Sequence, residues 1–241
     1  ENLEKQLDDM FASHSSLREN GAFLRLCGRS PKDGDPYQQM RFFEEYKQNL
    51  EKISSEKHLD KTKGNTKVMA ISKTHWLKVR NGKECLSLLL SSERVYLDLC
   101  DWKRFGGKEQ LCLREWDKDL DYDNEYRAFV YNNKLTAITQ YDHYGFYDDV
   151  IKTKEKVEKM INDYWAKEVK PRMKISDYIV DFGYVNDEII MIELSPFLEC
   201  TGASMYRWQL DGEELKYGDG KLKVAYKEYP NVDDLANQWE E

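Results

Sequence analysis

Asp181 and Glu193 are two carboxylates in places where apolar residues would be easier to bury, within the stretch Tyr178–Phe197, YIVDFGYVNDEIIMIELSPF. Tyr178–Val185 and Ile189–Leu194 are rich in β-branched and aromatic residues, as strands are, and Asn186–Asp187–Glu188 between them supplies turn chemistry. A three-residue loop sets Val185 against Ile189 and Asp181 directly opposite Glu193. Ser195 then shares the face of Glu193, because side chains alternate along a strand. Two like charges held that close repel unless a cation lies between them. A hard ion such as Mg²⁺ takes oxygen from one or two carboxylates and completes its shell with nucleotide phosphates. On this reading Asp181 and Glu193 hold a metal ion between them, and Asp181→Ala abolishes metal-dependent nucleotide binding at little cost to the fold. A two-residue turn instead puts the acids on opposite faces, one of them solvated. Spacing alone leaves both readings open.

The elements that would position such a hairpin can be read along the chain. Residues 1–20 carry Leu3, Leu7, Met10 and Phe11 at helical spacing and end near Asn20–Gly21. A short strand at Ala22–Cys27 leads into the turn-rich GRSPKDGDP. Tyr37 to about Ile53 is helical by periodicity, and Glu56–Asn65 is charged and glycine-containing, as a mobile loop would be. Strands are expected at Val68–Ile71, Trp76–Val79 and Val95–Leu99, with a short helix around Glu84–Ser91. In the second half, Gln110–Trp116, Glu125–Tyr131 and Leu135–Tyr141 read as strands, the last two joined by Asn132–Asn133. Asp149 to about Val169 is the strongest helix, with an apolar stripe through Val150, Val157 and Ile161 and a stop at Pro171. An irregular stretch with Gly202 and Gly212, a Gly218–Asp219–Gly220 turn, a strand at Lys221–Tyr226 and an acidic tail complete it. The pattern is α+β, antiparallel sheets with packed helices in two lobes joined near residues 110–117.

Composition narrows the function classes. The chain has 241 residues, 40% hydrophobic and 34% charged, so it can bury one large core or two small ones beneath a highly charged surface. A net charge of −8 gives no bulk attraction to nucleic acid. No apolar run approaches the roughly 20 residues of a membrane span, and no basic-then-apolar leader opens the chain. Five widely spaced cysteines without a CxxC pair fit reduced thiols in a cytosolic protein and argue against both a disulfide framework and a zinc site. The chain opens at Glu1 and not at methionine, as a segment of something longer would.

Several segments in fixed order resemble the cell division cycle protein 123 family of ATP-grasp proteins. They are FLRLCGRSPKD, ECLSLLLSSERVYLDL, LCLREW, EYRAFVYNNKLTAITQYDHYGFYDDV, YIVDF and MIELSPFLECTGASMYRW, which together cover most of residues 22–210. The resemblance implies an ATP-grasp fold, with ATP and Mg²⁺ in a cleft between an N-terminal lobe (1–109, with a helical insertion near 34–66) and a C-terminal lobe (110–241) carrying the metal hairpin. It implies that Arg25, Ser30 and Lys32 face the phosphates and that Arg114 and Arg127 neutralise their charge. Glu115, Trp116 and Asp117 would line the adenine, and Asp181, Glu193 and Ser195 would hold the metal. Three positions depart from the family pattern: Ser195 replaces a usual asparagine, Glu193 an aspartate, and Tyr141 an arginine.

The function so implied is that of a cytoplasmic assembly chaperone for eukaryotic translation initiation factor two, acting on its γ subunit. The alternative is an ATP-dependent ligase or phosphotransferase with an unidentified acceptor. Mg²⁺ and basic side chains can stabilise a transferring phosphoryl group without a dedicated base, so no catalytic residue is singled out. Lys32–Asp33–Gly34 falls one residue short of the KxDG nucleophile motif of nucleic-acid ligases.

Overall fold

The computed structural model describes residues 2–35, 43–44, 46–48, 50–51, 75–120, 122–143 and 145–225. The chain divides into two units, Glu1–Lys118 and Asp119–Glu241, each with its own sheet.

In the first unit, β1 (Ala22–Leu26) lies between β2 (Lys78–Val79) and β3 (Leu111–Glu115) in an antiparallel sheet. Alternation along β1 sends Ala22, Leu24 and Leu26 inward and leaves Phe23 and Arg25 on the other face. Ala22 and Leu24 pack with Leu7 and Phe11 of α1 (Asn2–Ser13), Leu17 of α2 (Ser15–Asn20), and Cys85 and Leu88 of α3 (Gly82–Ser91). The single helix expected over residues 1–20 is broken at His14, whose backbone is extended. Ser13 Oγ and His14 Nδ1 both engage the Met10 carbonyl, at 3.1 and 3.0 Å, and so compete with continued helix. Gly21 ends α2 at φ +79, and a Cβ there would come within 3.0 Å of the Val79 carbonyl, so glycine is required.

The strand expected at Val95–Leu99 is instead part of α4 (Glu93–Phe105). Two caps start this helix. Ser92 Oγ accepts from the Val95 amide at 3.1 Å, and Asp33 accepts from Ser92 Oγ at 2.5 Å and from the Arg94 amide at 3.1 Å. Residues 43–44, 46–48 and 50–51 are helical, in line with the periodicity around them. The rest of that helix, the expected loop at Glu56–Asn65 and the strand at Val68–Ile71 lie outside the described residues, as does the acidic tail.

The second unit is a five-stranded sheet in the order β7-β6-β4-β5-β8. It comprises β4 (Glu125–Tyr131), β5 (Lys134–Gln140), β6 (Tyr178–Val185), β7 (Glu188–Pro196) and a short β8 (Leu222–Lys223). β8 runs parallel to β5, and it stops short of the expected Lys221–Tyr226. Positive φ at Asn132 and Asn133 makes the expected tight β4–β5 turn. One face of the sheet packs Tyr126, Val130, Val180 and Phe182 against Val150, Val157 and Ile161 of α5 (Asp148–Tyr164). This helix does not run regularly to Val169: it loosens into a π-turn at Trp165–Val169 before the Pro171 turn. The other face packs Phe129, Ala137 and Ile179 against Ala203, Tyr206 and Leu215. Leu215 belongs to α6 (Trp208–Tyr217), a helix unexpected from a stretch read as irregular.

All five cysteines are free, and only Cys85 is buried. Among the described residues no helix is long and apolar enough to cross a membrane.

Candidate functional site

The hairpin that carries the two acids turns over Asn186–Asp187, both at positive φ, and Val185 pairs with Glu188. The loop is therefore two residues long, not three. Continued without interruption, that register would set Asp181 against Ile192 and turn Glu193 to the opposite face. A bulge intervenes: Phe182 pairs with Met191 but Asp181 pairs with Glu193, so β7 carries Ile192 as an extra residue. The acids do stand opposite each other, and Ser195 opposite Ile179 on the same face. A bulge re-aims a side chain without altering the turn that precedes it.

The cation beside Asp181 belongs to the protein. Register sets Arg127 of β4 across from Asp181 of β6, so the two share a face. Arg127 Nε and Nη2 donate to the two oxygens of Asp181, both at 2.8 Å, and Nη1 donates to the Gly202 carbonyl. Arg127 is 7% exposed and Asp181 3%. The guanidinium also lies over the Tyr141 ring, 4.8 Å from its centroid. Burial by itself lowers the pKa of Arg127. Hydrogen bonding and charge pairing with Asp181, helped by the negative fields of Tyr141 and Glu193, outweigh that, and the net shift is upward. A permanently charged, bidentate fork is what so buried a carboxylate requires. The pairing was not legible in the sequence, because β4 and β6 are neighbours in space and not in chain order.

Glu193 and Ser195 are half-buried on β7, the outermost strand of the unit's sheet among the described residues. Asp181, Glu193 and Arg127 together leave one net negative charge. The donor set of two carboxylates and a hydroxyl consists of hard oxygens, which suits Mg²⁺ held in part by its nucleotide. Carboxylates that bind metals are themselves usually fixed by outer hydrogen bonds, as Asp181 is by Arg127. In donor type the residues present suit the ion, with both Asp181 oxygens already accepting from Arg127. Among the described residues, no group of three or more His, Cys, Asp or Glu is placed to hold a metal.

The remaining candidates lie in the first unit. Arg25 pairs with Cys112 and Arg114 with Phe23, so both arginines emerge on the same face of the sheet, away from the core. Arg25 Nε donates to the Leu26 carbonyl at 3.1 Å. Glu115 accepts from Asn20 Nδ2 at 2.8 Å, Trp116 donates its amide to the Gly21 carbonyl, and Asp117 is exposed. The Trp116 ring is half-buried, with His75 edge-on at 5.8 Å between centroids and Lys78 Nζ 5.4 Å above it. Ser30 is buried and Lys32 exposed. Their loop is anchored to helices: Asp33 caps α4, Asp35 N donates to Ser91 Oγ at 2.7 Å, and Trp76 Nε1 donates to the Gly34 carbonyl at 2.8 Å.

Comparison with known proteins bears on what these residues serve. The D123 family model matches residues 65–232. A protein of Xenopus laevis named translation initiation factor eIF2 assembly protein is 31% identical over 103 residues, 42% of this chain and 30% of that one. Its Danio rerio namesake is 27% identical over 124 residues, 50% and 35% of the two chains. Cell division cycle protein 123 of Yarrowia lipolytica is 26% identical over 146 residues, 55% and 38% of the two. The match to the Xenopus and zebrafish relatives spans only about a third of their length. In fold, the chain is similar to Cdc123 from Schizosaccharomyces pombe, at a TM-score of 0.64 and 20% identity over 92% of this chain and 78% of that one.

Proposed function

This chain belongs to the D123 family, and we propose that it is an ATP-grasp protein that binds Mg–ATP and serves in the assembly of translation initiation factor eIF2 in the cytoplasm, engaging its γ subunit. The names of the relatives support the eIF2 role. The observation that carries the nucleotide reading is the buried Arg127–Asp181 pair facing Glu193. A fold gains little from burying such a pair when apolar residues of similar volume would serve as well or better. Its value is in holding a carboxylate in one orientation.

In this reading Asp181, Glu193 and Ser195 offer oxygens to the ion, and Arg127 is a positioning residue for Asp181. Magnesium, when bound, neutralises phosphate charge. Arg25, Lys32 and Arg114 supply the remaining positive charge to the phosphates, Ser30 belongs to the loop beside them, and Glu115–Asp117 read the adenine edge through the backbone with Trp116 packing on the ring. Titration calorimetry with ATP tests the first half. Saturable binding that vanishes when Mg²⁺ is replaced by EDTA is expected, and no binding in either condition refutes the reading. Co-precipitation of purified γ subunit with the tagged protein tests the second half, and retention of the α or β subunit in its place would overturn it.

A further inference from the structure

A pocket lies in the first unit, at the C-terminal end of α4. Asp98, Asp101, Trp102 and Phe105 fall at i, i+3, i+4 and i+7, which is one stripe of a helix. Gly106 and Gly107, at φ +75 and +123, turn the chain back past that stripe, a conformation that side-chain-bearing residues rarely adopt. The turn is held by the Gly106 amide donating to the Trp102 carbonyl at 2.8 Å and by Trp102 Nε1 donating to the Gly107 carbonyl at 3.2 Å. Between stripe and return lies an open cavity of about 260 Å³, lined also by Lys108 and Glu109. Glu109 is fixed in turn by accepting the Cys27 amide at 3.0 Å.

The chemistry of this cavity points to one kind of occupant. Its volume falls just below the roughly 300–1,000 Å³ of cofactor pockets and suits a single long side chain. Two of its walls are aromatic rings that the fold leaves uncovered, Trp102 at 45% and Phe105 at 74% exposure. Three carboxylates and one ammonium line it, and Arg29 neutralises Asp98 from 3.0 Å, so Asp101 and Glu109 face Lys108 with net negative charge. The carbonyl end of α4 adds the negative pole of the helix dipole. Aromatic faces, carboxylates and a helix C-terminus all favour a cation, and a flat, weakly hydrated guanidinium stacks on rings better than an ammonium does. The Arg104 guanidinium already sits 5.2 Å from the centroid of the Phe105 ring, so the ring accepts this contact. We infer that the cavity at the end of α4 receives an arginine side chain presented by a protein partner.

The test uses the full chain, ¹⁵N-labelled, with the Trp102 indole signal identified by its loss in Trp102→Phe. Titration with N-acetylarginine amide is expected to move that signal saturably. The uncharged isostere N-acetylcitrulline amide should leave it in place, and Asp101→Asn should weaken the arginine response at least threefold while leaving the other indole signals unchanged. Equal responses to both compounds, or an arginine response indifferent to Asp101→Asn, would overturn the inference. So would light scattering that shows a dimer which Phe105→Ser dissociates, because the surface would then be covered by a second copy.

Discussion

Arg127 in the second unit and Arg114 in the first are both strand arginines expected to meet phosphate, yet the two surroundings ask different things of them. β4 is buried on both faces, so Arg127 has no route to water and is committed to Asp181, Gly202 and the Tyr141 ring. Among the described residues β3 has a partner on one side only, its residues are mostly exposed, and Arg114 stands with Arg25 on the face away from the core. In the second unit the sheet fixes the charge, and stability depends on it. In the first unit charge is displayed on a sheet whose stability rests on the opposite face. The same residue type is thus tied into the fold in one place and exposed on a sheet face in the other.

The largest expected effect breaks the first half of that contrast. Asp181→Ala was expected from the sequence to relieve repulsion at little cost. With Arg127 as the partner the sign reverses, since the substitution strands a buried guanidinium, and Arg127→Met strands a buried carboxylate opposite Glu193. Each should cost about 3–5 kcal/mol in urea unfolding. The double variant Asp181→Leu/Arg127→Met should recover most of that loss, because no unpaired charge remains. Recovery of stability without recovery of Mg–ATP binding would separate the two roles of the pair. Single variants as stable as the parent would show that the pair is not load-carrying in the fold.

How much of this was legible in the sequence varies with the range of the interaction concerned. Hairpins, whose partners are near in the chain, were readable: Asn132–Asn133 and the strands on either side stand where turn chemistry put them. The opposition of Asp181 and Glu193 was reached through a three-residue loop that does not exist. The real loop is shorter by one residue, and the bulge at Ile192 restores the register, a compensation that no local pattern announces. α4 was misread because Val95, Leu97 and Leu99 alternate like a strand. In fact Val95 is buried while Leu97 and Leu99 are exposed, and part of the signal that starts the helix comes from Asp33, some sixty residues earlier in the chain. α6 was missed because Gly212 lies within it, and its burial rests chiefly on Leu215.

A middle-sized effect concerns that cap, which ties the loop after β1 to α4. Ser92→Ala removes the acceptor for the Val95 amide and should cost about 1 kcal/mol. Asp33 makes the cap sensitive to pH. Burial is the largest single influence on its pKa and raises it, but the hydrogen bonds from Ser92 and from the Arg94 amide together outweigh this and hold the carboxyl below its ordinary value. A folded pKa below the unfolded one means that the contribution is complete above about pH 4 and is lost as pH falls through the folded value. Asp33→Asn should therefore flatten the acid limb of stability measured by urea unfolding against pH. An unchanged acid limb would mean that the loop is held by Asp35 and Gly34 alone.

The smallest expected change in stability sharpens the second half of the contrast. Arg114→Gln alters an exposed side chain on the solvent face of β3, so unfolding should shift by no more than about 0.5 kcal/mol. If Arg114 meets phosphate, one charged hydrogen bond is lost on binding, which weakens affinity for Mg–ATP roughly tenfold. Calorimetry on this variant, beside the urea curve, thus reads function with the fold held constant, a separation that no single substitution at Arg127 can give. Unchanged affinity together with unchanged stability would remove Arg114 from the nucleotide site and leave the solvent face of that sheet to some other ligand. A loss of several kcal/mol in the urea curve would mean that β3 depends on its outer face after all, and the distinction between displayed and committed arginines would fall.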